Sequence, residues 1–397
     1  MTESDHVLIL AGGQGLRLWP WSRPGRYKPF LPLCGDRSLL AATIERALSL
    51  VPPERIHLMG PSEVVTDIGP FNWIIESVAR DTAPAIYQAA REIVETCPAA
   101  TMLVFPADHR IEDAGLFRRG MRETLEELSE DPAQFWLHGT DSPLDSSYGY
   151  IVPSDGADTS EVSRFEEKPA PDRFDELNSS GALRNTGVFG FKAALLIDEY
   201  TRILGDSGGS RLAELEDVPS ISIDHFLLER EDFLERLQVR RMAHRWSDLG
   251  SWPSLRSVFN SDSRGNVIIA DPDRSPVVDA IDAGDPVLLR SQGIEIDSDG
   301  GRQILCLGLE DKQVRVSGNH VSILSPEMSS PKDGLVDCSG LLVFLQDDVR
   351  ISICGISGGL VAVTTDVILV ASEEEISSGG LREALDVLDQ RSQGAVE

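Results

Sequence analysis

Residues 7–11, Val-Leu-Ile-Leu-Ala, form a short unbroken apolar run that stops at a pair of glycines. Such a run predicts a strand buried on both faces, as in parallel sheets. Short strands are predicted again at 56–59, 72–75, 101–106 and 135–139. Between them the apolar positions shift to helical spacing, at 38–50, 83–96 and 116–128. Strands alternating with helices predict an α/β fold with a doubly wound, mostly parallel, Rossmann-like sheet. Ligands of such sheets gather at the carboxyl ends of the strands, so the loops that follow strands are where chemistry is sought.

The pattern changes near residue 262. Beyond it come short Val/Ile/Leu runs broken by Gly, Asp and Ser, then one amphipathic helix at 381–388. Ile304-Leu-Cys-Leu-Gly308, Val314-Arg-Val316, Ser325 and Glu327 recur without gaps as Ile351-Ser-Ile-Cys-Gly355, Val361-Ala-Val363, Ser372 and Glu374, at a constant offset of 47. A β-rich repeat predicts stacked strands or a β-helix-like module; chance likeness between two β segments is the competing account. Two domains are expected: 1–262, the α/β part, and 263–397, the β-rich part with its terminal helix.

Composition narrows the class. With 41% hydrophobic and 25% charged residues the chain reads as a soluble globular protein. No run of about 18 apolar residues is present to span a bilayer, and the polar stretch 1–6 lacks the features of a signal peptide. A net charge of −29 disfavours nucleic acid and anionic membranes as partners. Five scattered cysteines, never spaced as C-x-x-C, argue against a disulfide framework or zinc site and for a cytoplasmic setting.

Against that acidic background one segment stands apart. Ala11-Gly-Gly-Gln-Gly-Leu-Arg-Leu-Trp-Pro20 follows the first strand directly. From His6 to Gly35 there is no acid, although acids make up 65 of the 397 residues, and the same segment carries Arg17, Arg23, Arg26 and Lys28. A glycine turn alone has a purely steric account. A glycine turn inside an island of positive charge suits a triphosphate, with backbone N–H groups approaching phosphate oxygens. The segment lacks the P-loop signature and the distal acid of a dinucleotide fold.

Asp108 ends the predicted strand 101–106 at the ligand-binding edge, in Phe105-Pro-Ala-Asp-His109, and Asp248 lies in Trp246-Ser-Asp-Leu-Gly-Ser-Trp252. Magnesium takes hard oxygen ligands, often one or two carboxylates plus phosphate oxygens. A helix cap or turn is the other account of either Asp. His109 is read as a hydrogen-bonding neighbour, since imidazole suits softer metals.

Taken together, residues 5–265 resemble the sugar-nucleotide pyrophosphorylases, and within them the mannose-1-phosphate guanylyltransferases. The likeness is carried in order by the loop 11–20 with Ser22-Arg23 and Lys28-Pro-Phe-Leu31, and by Glu76 with Arg80-Asp-Thr-Ala-Pro-Ala85. It continues through Phe105-Pro-Ala-Asp-His109, Tyr148-Gly-Tyr-Ile151, Phe165-Glu-Glu-Lys-Pro169 and Asn185-Thr-Gly-Val-Phe189. Ser222-Ile-Asp224 and the Trp246–Trp252 string complete the set. The resemblance implies GTP and a sugar 1-phosphate, mannose 1-phosphate, as substrates, and Mg²⁺ as cofactor. It implies Arg17 and Lys28 on the triphosphate with Gly12, Gly13 and Gly15, and Asp108 and Asp248 on the metal. Glu76, Arg80 and Thr82 fall to the nucleoside, Lys168 to the sugar phosphate, and Gly149, Glu167 and Asn185 to the sugar.

Lysine occurs at only five positions, and Lys28 and Lys168 both fall within these segments. A lysine is a compact point charge where arginine is a planar fork, which suits a clamp on a moving oxyanion. The chain departs from the family pattern at Leu16, where a Thr is usual, at Tyr27-Lys28-Pro29, at Asp81 and at Ser146-Ser147. These departures bear on efficiency and base choice. Another NTP or sugar phosphate, and a catalytically silent paralogue that regulates a partner, are the competing functions. By resemblance the β-rich part pairs subunits into a homodimer; its strands equally suit a cover for the catalytic domain.

Overall fold

The computed structural model describes residues 2–394 apart from 14, 24, 35–36, 66–68, 77–80, 206–214, 216–217, 257, 272–285, 299, 319, 326–333, 347–348, 365 and 379. Contacts divide the chain into two units, Met1–Gly13 with Pro29–Asp248, and Gln14–Lys28 with Leu249–Glu397. The second unit thus takes in the arm 14–28 and the residues 249–262, ahead of the start at 263 that composition suggested. Among the described residues no helix is long and apolar enough to cross a membrane.

The first unit holds strands β1 (Asp5–Leu10), β2 (Ile56–Gly60), β3 (Asn72–Ile75), β4 (Thr101–Pro106), β5 (Arg110–Ile111), β6 (Phe135–Thr140), β7 (Gly149–Pro153), β8 (Thr159–Glu167), β9 (Leu183–Lys192), β10 (Leu237–Arg241) and β11 (Trp246–Ser247). Its helices are α1 (Leu39–Leu48), α2 (Thr82–Thr96), α3 (Ala114–Glu130), α4 (Phe174–Ser179) and α5 (Ala193–Leu204). Side-chain caps mark where helices start: Ser38 accepts from the Ala41 amide and Asp113 from the Leu116 amide.

Nine strands form one sheet, ordered β3-β2-β1-β4-β9-β6-β10-β8-β7. The strands β3, β2, β1 and β4 run parallel, as the alternating pattern predicts. Past β4 the sheet is mixed. β9 lies antiparallel between β4 and β6, and β7 pairs antiparallel with β8. The expectation of a mostly parallel sheet therefore applies to its first half. For β7 and β8 the reason is local: only residues 154–158 separate them, a link too short for the crossover that parallel neighbours require.

Both faces of the sheet are covered, and the strand sequences show why. Val7, Ile9, Leu103 and Phe105 pack with α1 and α3, while Leu8, Met102 and Val104 pack with α2 and α5. Alternate residues face opposite layers, so both must be apolar. Phe135 is fully buried in the second layer, stacked on Phe191 with ring centroids 4.6 Å apart and edge-on to Phe233 at 5.7 Å.

The second unit holds strands β12 (Val267–Asp271), β13 (Val287–Leu289), β14 (Gln292–Ser298), β15 (Gln303–Leu307), β16 (Glu310–Ser317), β17 (His320–Leu324), β18 (Gly334–Val336), β19 (Leu342–Gln346), β20 (Arg350–Cys354), β21 (Leu360–Val363) and β22 (Val367–Ala371). Helices α6 (Trp252–Leu255), α7 (Glu373–Ser378) and α8 (Gly380–Gly394) complete it. Six strands form one sheet and five another, with Val, Ile and Leu side chains from both in a common core.

The 47-residue offset reappears in the strand pairings. Val287↔Leu305 becomes Gly334↔Ser352, and Glu295↔Gln313 becomes Leu342↔Leu360. Val321↔Ile351 maps onto Ile368↔Ile304. Each strand of the first copy lies in one sheet and its counterpart in the other, which relates the copies by a local two-fold. Glu327 of the repeat lies outside the described residues.

The arm joins this unit through aromatic packing. Trp21 lies 4.5 Å from Phe344 and 6.2 Å from Trp252 between ring centroids, and the Trp252 indole donates to the Trp19 carbonyl at 2.9 Å.

Phe135→Ala is expected to cost about 3–5 kcal/mol through lost burial and an unfilled cavity. Urea unfolding followed by far-UV circular dichroism measures it. A loss below about 1 kcal/mol would show that the aromatic cluster does not hold the first unit together.

Candidate active site

The four parallel strands of the first unit end together at one edge of the sheet. β1 runs into Gly12 and Gly13, β3 into Glu76, and β4 into Asp108. A Cβ on Gly12 would stand 3.1 Å from the Glu76 carboxylate, so the glycine makes room for that acid. Arg80 lies outside the described residues. Thr82 opens α2, where its hydroxyl accepts from the Ile223 amide at 3.0 Å, and Asp81 caps the helix through the Thr82 amide.

Within the second unit, Gly15 and Lys28 meet. Gly15 has φ 67°, and a Cβ there would fall 2.4 Å from Lys28 Cβ, so both its backbone and its contact demand glycine. Ser22 donates its hydroxyl to the Gly15 carbonyl. Lys28 is buried, while Arg17 lies exposed on the short turn Leu16–Leu18.

The two metal-site candidates are brought together by a strand pair. β5 and β11 form an antiparallel ribbon in the register Trp246↔Ile111 and Ser247↔Arg110. Asp108 sits just before β5 and Asp248 just after β11, so both leave the same end of the ribbon. Around them the Trp246 indole donates to His109 Nδ1 at 3.2 Å, and His109 Nε2 lies 3.8 Å from Asp108. The Tyr148 hydroxyl donates to Asp248 at 2.8 Å, and burial followed by the Asp248 charge pushes its ionisation up. Two carboxylates supply hard oxygen donors suited to magnesium. Among the described residues no group of three or more His, Cys, Asp or Glu gathers into a metal cluster. Further ligands of a cation here would be phosphate or water oxygens.

Behind Asp108, α1 supplies a support that the sequence reading missed. Arg46 donates to the His109 carbonyl at 3.2 Å and to the Thr43 hydroxyl at 2.6 Å; that hydroxyl donates to the Leu39 carbonyl at 3.0 Å and lies 3.4 Å from the Ala107 carbonyl, so α1 backs the segment on both sides of Asp108. Burial lowers the Arg46 guanidinium to about 10, still well into its charged range at neutral pH. A charged residue on the apolar stripe of α1 was the available signal.

The sugar-side candidates form a second cluster. Gly149 pairs with Glu167 across β7 and β8, and a Cβ on Gly149 would fall 2.3 Å from the Glu167 carboxylate. Lys168 is held at φ 49°, donates its amide to the Tyr148 carbonyl, and places Nζ 2.8 Å from Glu167. Its ammonium remains well exposed, and the hydrogen bond to Glu167 raises its pKa. Asn185 donates to Asp224 at 2.8 Å and accepts from the Gly187 amide at 3.1 Å.

Asp224 is the acid that sequence reasoning quoted without a role. It opens one π-helical turn, Asp224–Leu228, a feature that recurs at functional sites. Burial, then the neighbouring Glu167 carboxylate, push its carboxyl up to about 7, with Lys168 opposing.

Residues 6–265 match the family model described as Nucleotidyl transferase. The chain is 32% identical over 295 residues to the alginate biosynthesis protein AlgA of Pseudomonas putida, covering 66% of this chain and 60% of that protein. It is 32% identical over 294 residues to the mannose-1-phosphate guanylyltransferase RfbM of Salmonella typhimurium, again covering 66% and 60%. The chain thus spans about 60% of the length of these curated relatives. A solved structure described as mannose-1-phosphate geranyltransferase from Thermus thermophilus is 26% identical, with a TM-score of 0.71. The match covers 97% of this chain and 99% of that one.

A raised carboxylate pKa sets the sign of a pH effect. Between the ordinary value of 3.8 and about 7, unfolding releases the Asp224 proton, so stability falls as pH rises through that window and levels off above it. Asp224→Asn keeps an acceptor for Asn185 and removes the titration. Its melting temperature is expected to match or exceed that of the parent at about pH 8, with a flatter dependence from about pH 5 upward. A variant that melts lower than the parent only at high pH would overturn this assignment.

Proposed function

Because the chain belongs to the nucleotidyl transferase family, we propose that it transfers a guanylyl group from GTP to mannose 1-phosphate, giving GDP-mannose and pyrophosphate. The observation that carries this reading is the β5–β11 ribbon, which delivers Asp108 and Asp248 to one place. The choice of GTP and mannose rests on the likeness to RfbM and on the Glu76 and Arg80–Ala85 segments.

A phosphate oxygen of the sugar phosphate attacks the α-phosphorus in line. The new P–O bond forms as the bond to the bridging oxygen breaks, and pyrophosphate leaves with that electron pair. The nucleophile is already an anion, so no general base is needed, and the protein acts through positioning and charge neutralisation. Arg17, Lys28 and the backbone of 12–15 take the triphosphate. Lys168 takes the sugar phosphate, and its exposed ammonium is free to swing from Glu167 toward that charge. Glu167, Asn185 and the Gly149 backbone take the sugar hydroxyls. Asn185 is pre-set for this by its bonds to Asp224 and Gly187. Glu76, Arg80 and Thr82 belong to the nucleoside side. Asp108 and Asp248 hold Mg²⁺, which when bound neutralises phosphate charge and orients the reacting groups.

A cytoplasmic setting and a homodimer complete the reading. The first is supported by five scattered cysteines never spaced as C-x-x-C and the second by resemblance alone.

Pyrophosphate release with GTP, Mg²⁺ and mannose 1-phosphate, run beside a panel of other NTPs and sugar phosphates, tests the proposal. A preference for another pair would reassign the substrates, and silence with every pair would favour a regulatory paralogue. Asp108→Ala is expected to lower kcat on the order of a thousandfold with the melting temperature little changed; near-parental turnover would remove Asp108 from the metal site. Lys168→Ala is expected to raise the KM for mannose 1-phosphate roughly tenfold or more through loss of a charge-assisted contact. If only the KM for GTP moved, the sugar-side role would be wrong.

A further inference from the structure

The arm 14–28 belongs with the C-terminal unit, and one contact there is unlike the others. Arg23 is only 2% exposed, and its Nη1 donates to both oxygens of Asp366, at 3.0 and 2.8 Å. These two residues are 343 positions apart. Asp366 sits in the turn between β21 and β22, where it also accepts from the Thr364 hydroxyl at 2.9 Å, and its carbonyl receives the Gln303 amide at 2.8 Å. On the arm side, Arg23 and Arg26 exchange two backbone hydrogen bonds that close a small loop. The adjacent Ser22 bonds the Gly15 carbonyl, and Gly15 in turn lies against the Lys28 stem. A continuous path of contacts therefore runs from a C-terminal carboxylate to the two residues, Gly15 and Lys28, that shape the arm.

We infer that the C-terminal unit is a positioning element for nucleotide, holding the arm that bears Arg17 and Lys28 in its binding shape through the buried Arg23–Asp366 pair. This rests on the reading above that Arg17 and Lys28 take the triphosphate.

The internal repeat argues that Asp366 is not there for the turn alone. Its counterpart, 47 positions earlier, is Asn319, and Thr364 corresponds to Ser317. The first copy thus carries an uncharged amide where the second carries the carboxylate that meets Arg23. An ion pair hidden from water needs both partners, because a single buried charge left alone is strongly unfavourable. Removing the Asp366 charge should loosen the arm while leaving the β21–β22 turn acceptable.

The test is Asp366→Asn, the residue that the first repeat already uses, with Arg23→Lys as a second variant that keeps the charge but removes the guanidinium nitrogen Nη1 that meets both Asp366 oxygens. In steady-state kinetics the KM for GTP is expected to rise roughly tenfold or more, with the KM for mannose 1-phosphate unchanged. An unchanged KM for GTP, or both KM values rising together, would overturn the inference. Limited trypsin digestion gives a readout that needs no transferase activity. Cutting at Arg17–Leu18 and Arg26–Tyr27 is expected to speed up at least about tenfold while the rest of the chain stays intact. Unchanged cutting in either variant sinks the anchor. Faster cutting in the variants of a protein that turns over no nucleotide would sustain the anchor and defeat the transferase reading instead.

Discussion

A two-stranded ribbon of four residues sets the terms for the proposed chemistry. Trp246 and His109 are 137 positions apart, yet the pairing of Ser247 with Arg110 brings the acids beside them to one end of one element. The Glu112 amide extends the pairing by donating to the Arg245 carbonyl at 3.1 Å. Register matters here, because a slip of one residue sends every side chain to the opposite face. The Trp246–His109 and Tyr148–Asp248 hydrogen bonds fix the register from the sides. Arg46 holds the turn at Asp108 from behind through the His109 carbonyl.

The sugar-side cluster obeys the opposite constraint. Glu167 and Asp224 crowd one small region with Asp81 nearby, into which an anionic sugar phosphate is proposed to come. With its carboxyl near 7, Asp224 spends much of its time protonated at neutral pH and adds less negative charge than its formal count suggests. Lys168 supplies the compensating cation from a strained backbone position, φ 49°, which aims it from the end of β8. The chain as a whole carries −29.

Much of this was legible in the sequence, and the exceptions have physical causes. The strands at 72–75 and 101–106 and the helix near 83–96 follow directly from apolar spacing, because local burial decides them. β9 was not legible as an antiparallel insertion, since strand direction depends on partners far away in the chain. Arg46 escaped notice because a buried arginine contradicts the usual pattern, and only its carbonyl partners explain it. Arg23 was misjudged in a more instructive way. Counted among the cations of the phosphate island, it is out of water, with Nη1 paired to Asp366 and Nε and Nη2 buried without a hydrogen-bond partner among the described residues. Charge counting along a chain cannot distinguish a cation offered to a ligand from one consumed inside the fold.

That distinction changes what the C-terminal unit is for. Its two repeat copies exchange places between two sheets, so their strands pair with one another. Burying an arginine from residue 23 carries a desolvation cost that apolar packing would avoid. Trp21 and Phe344 already provide such packing. The ion pair adds direction: charge-assisted hydrogen bonds from Arg23 Nη1 to both Asp366 oxygens tolerate less displacement than an aromatic contact does. Retention of a costly, directional contact beside an adequate non-directional one is what a loop requires when its shape, and not merely its attachment, must be kept.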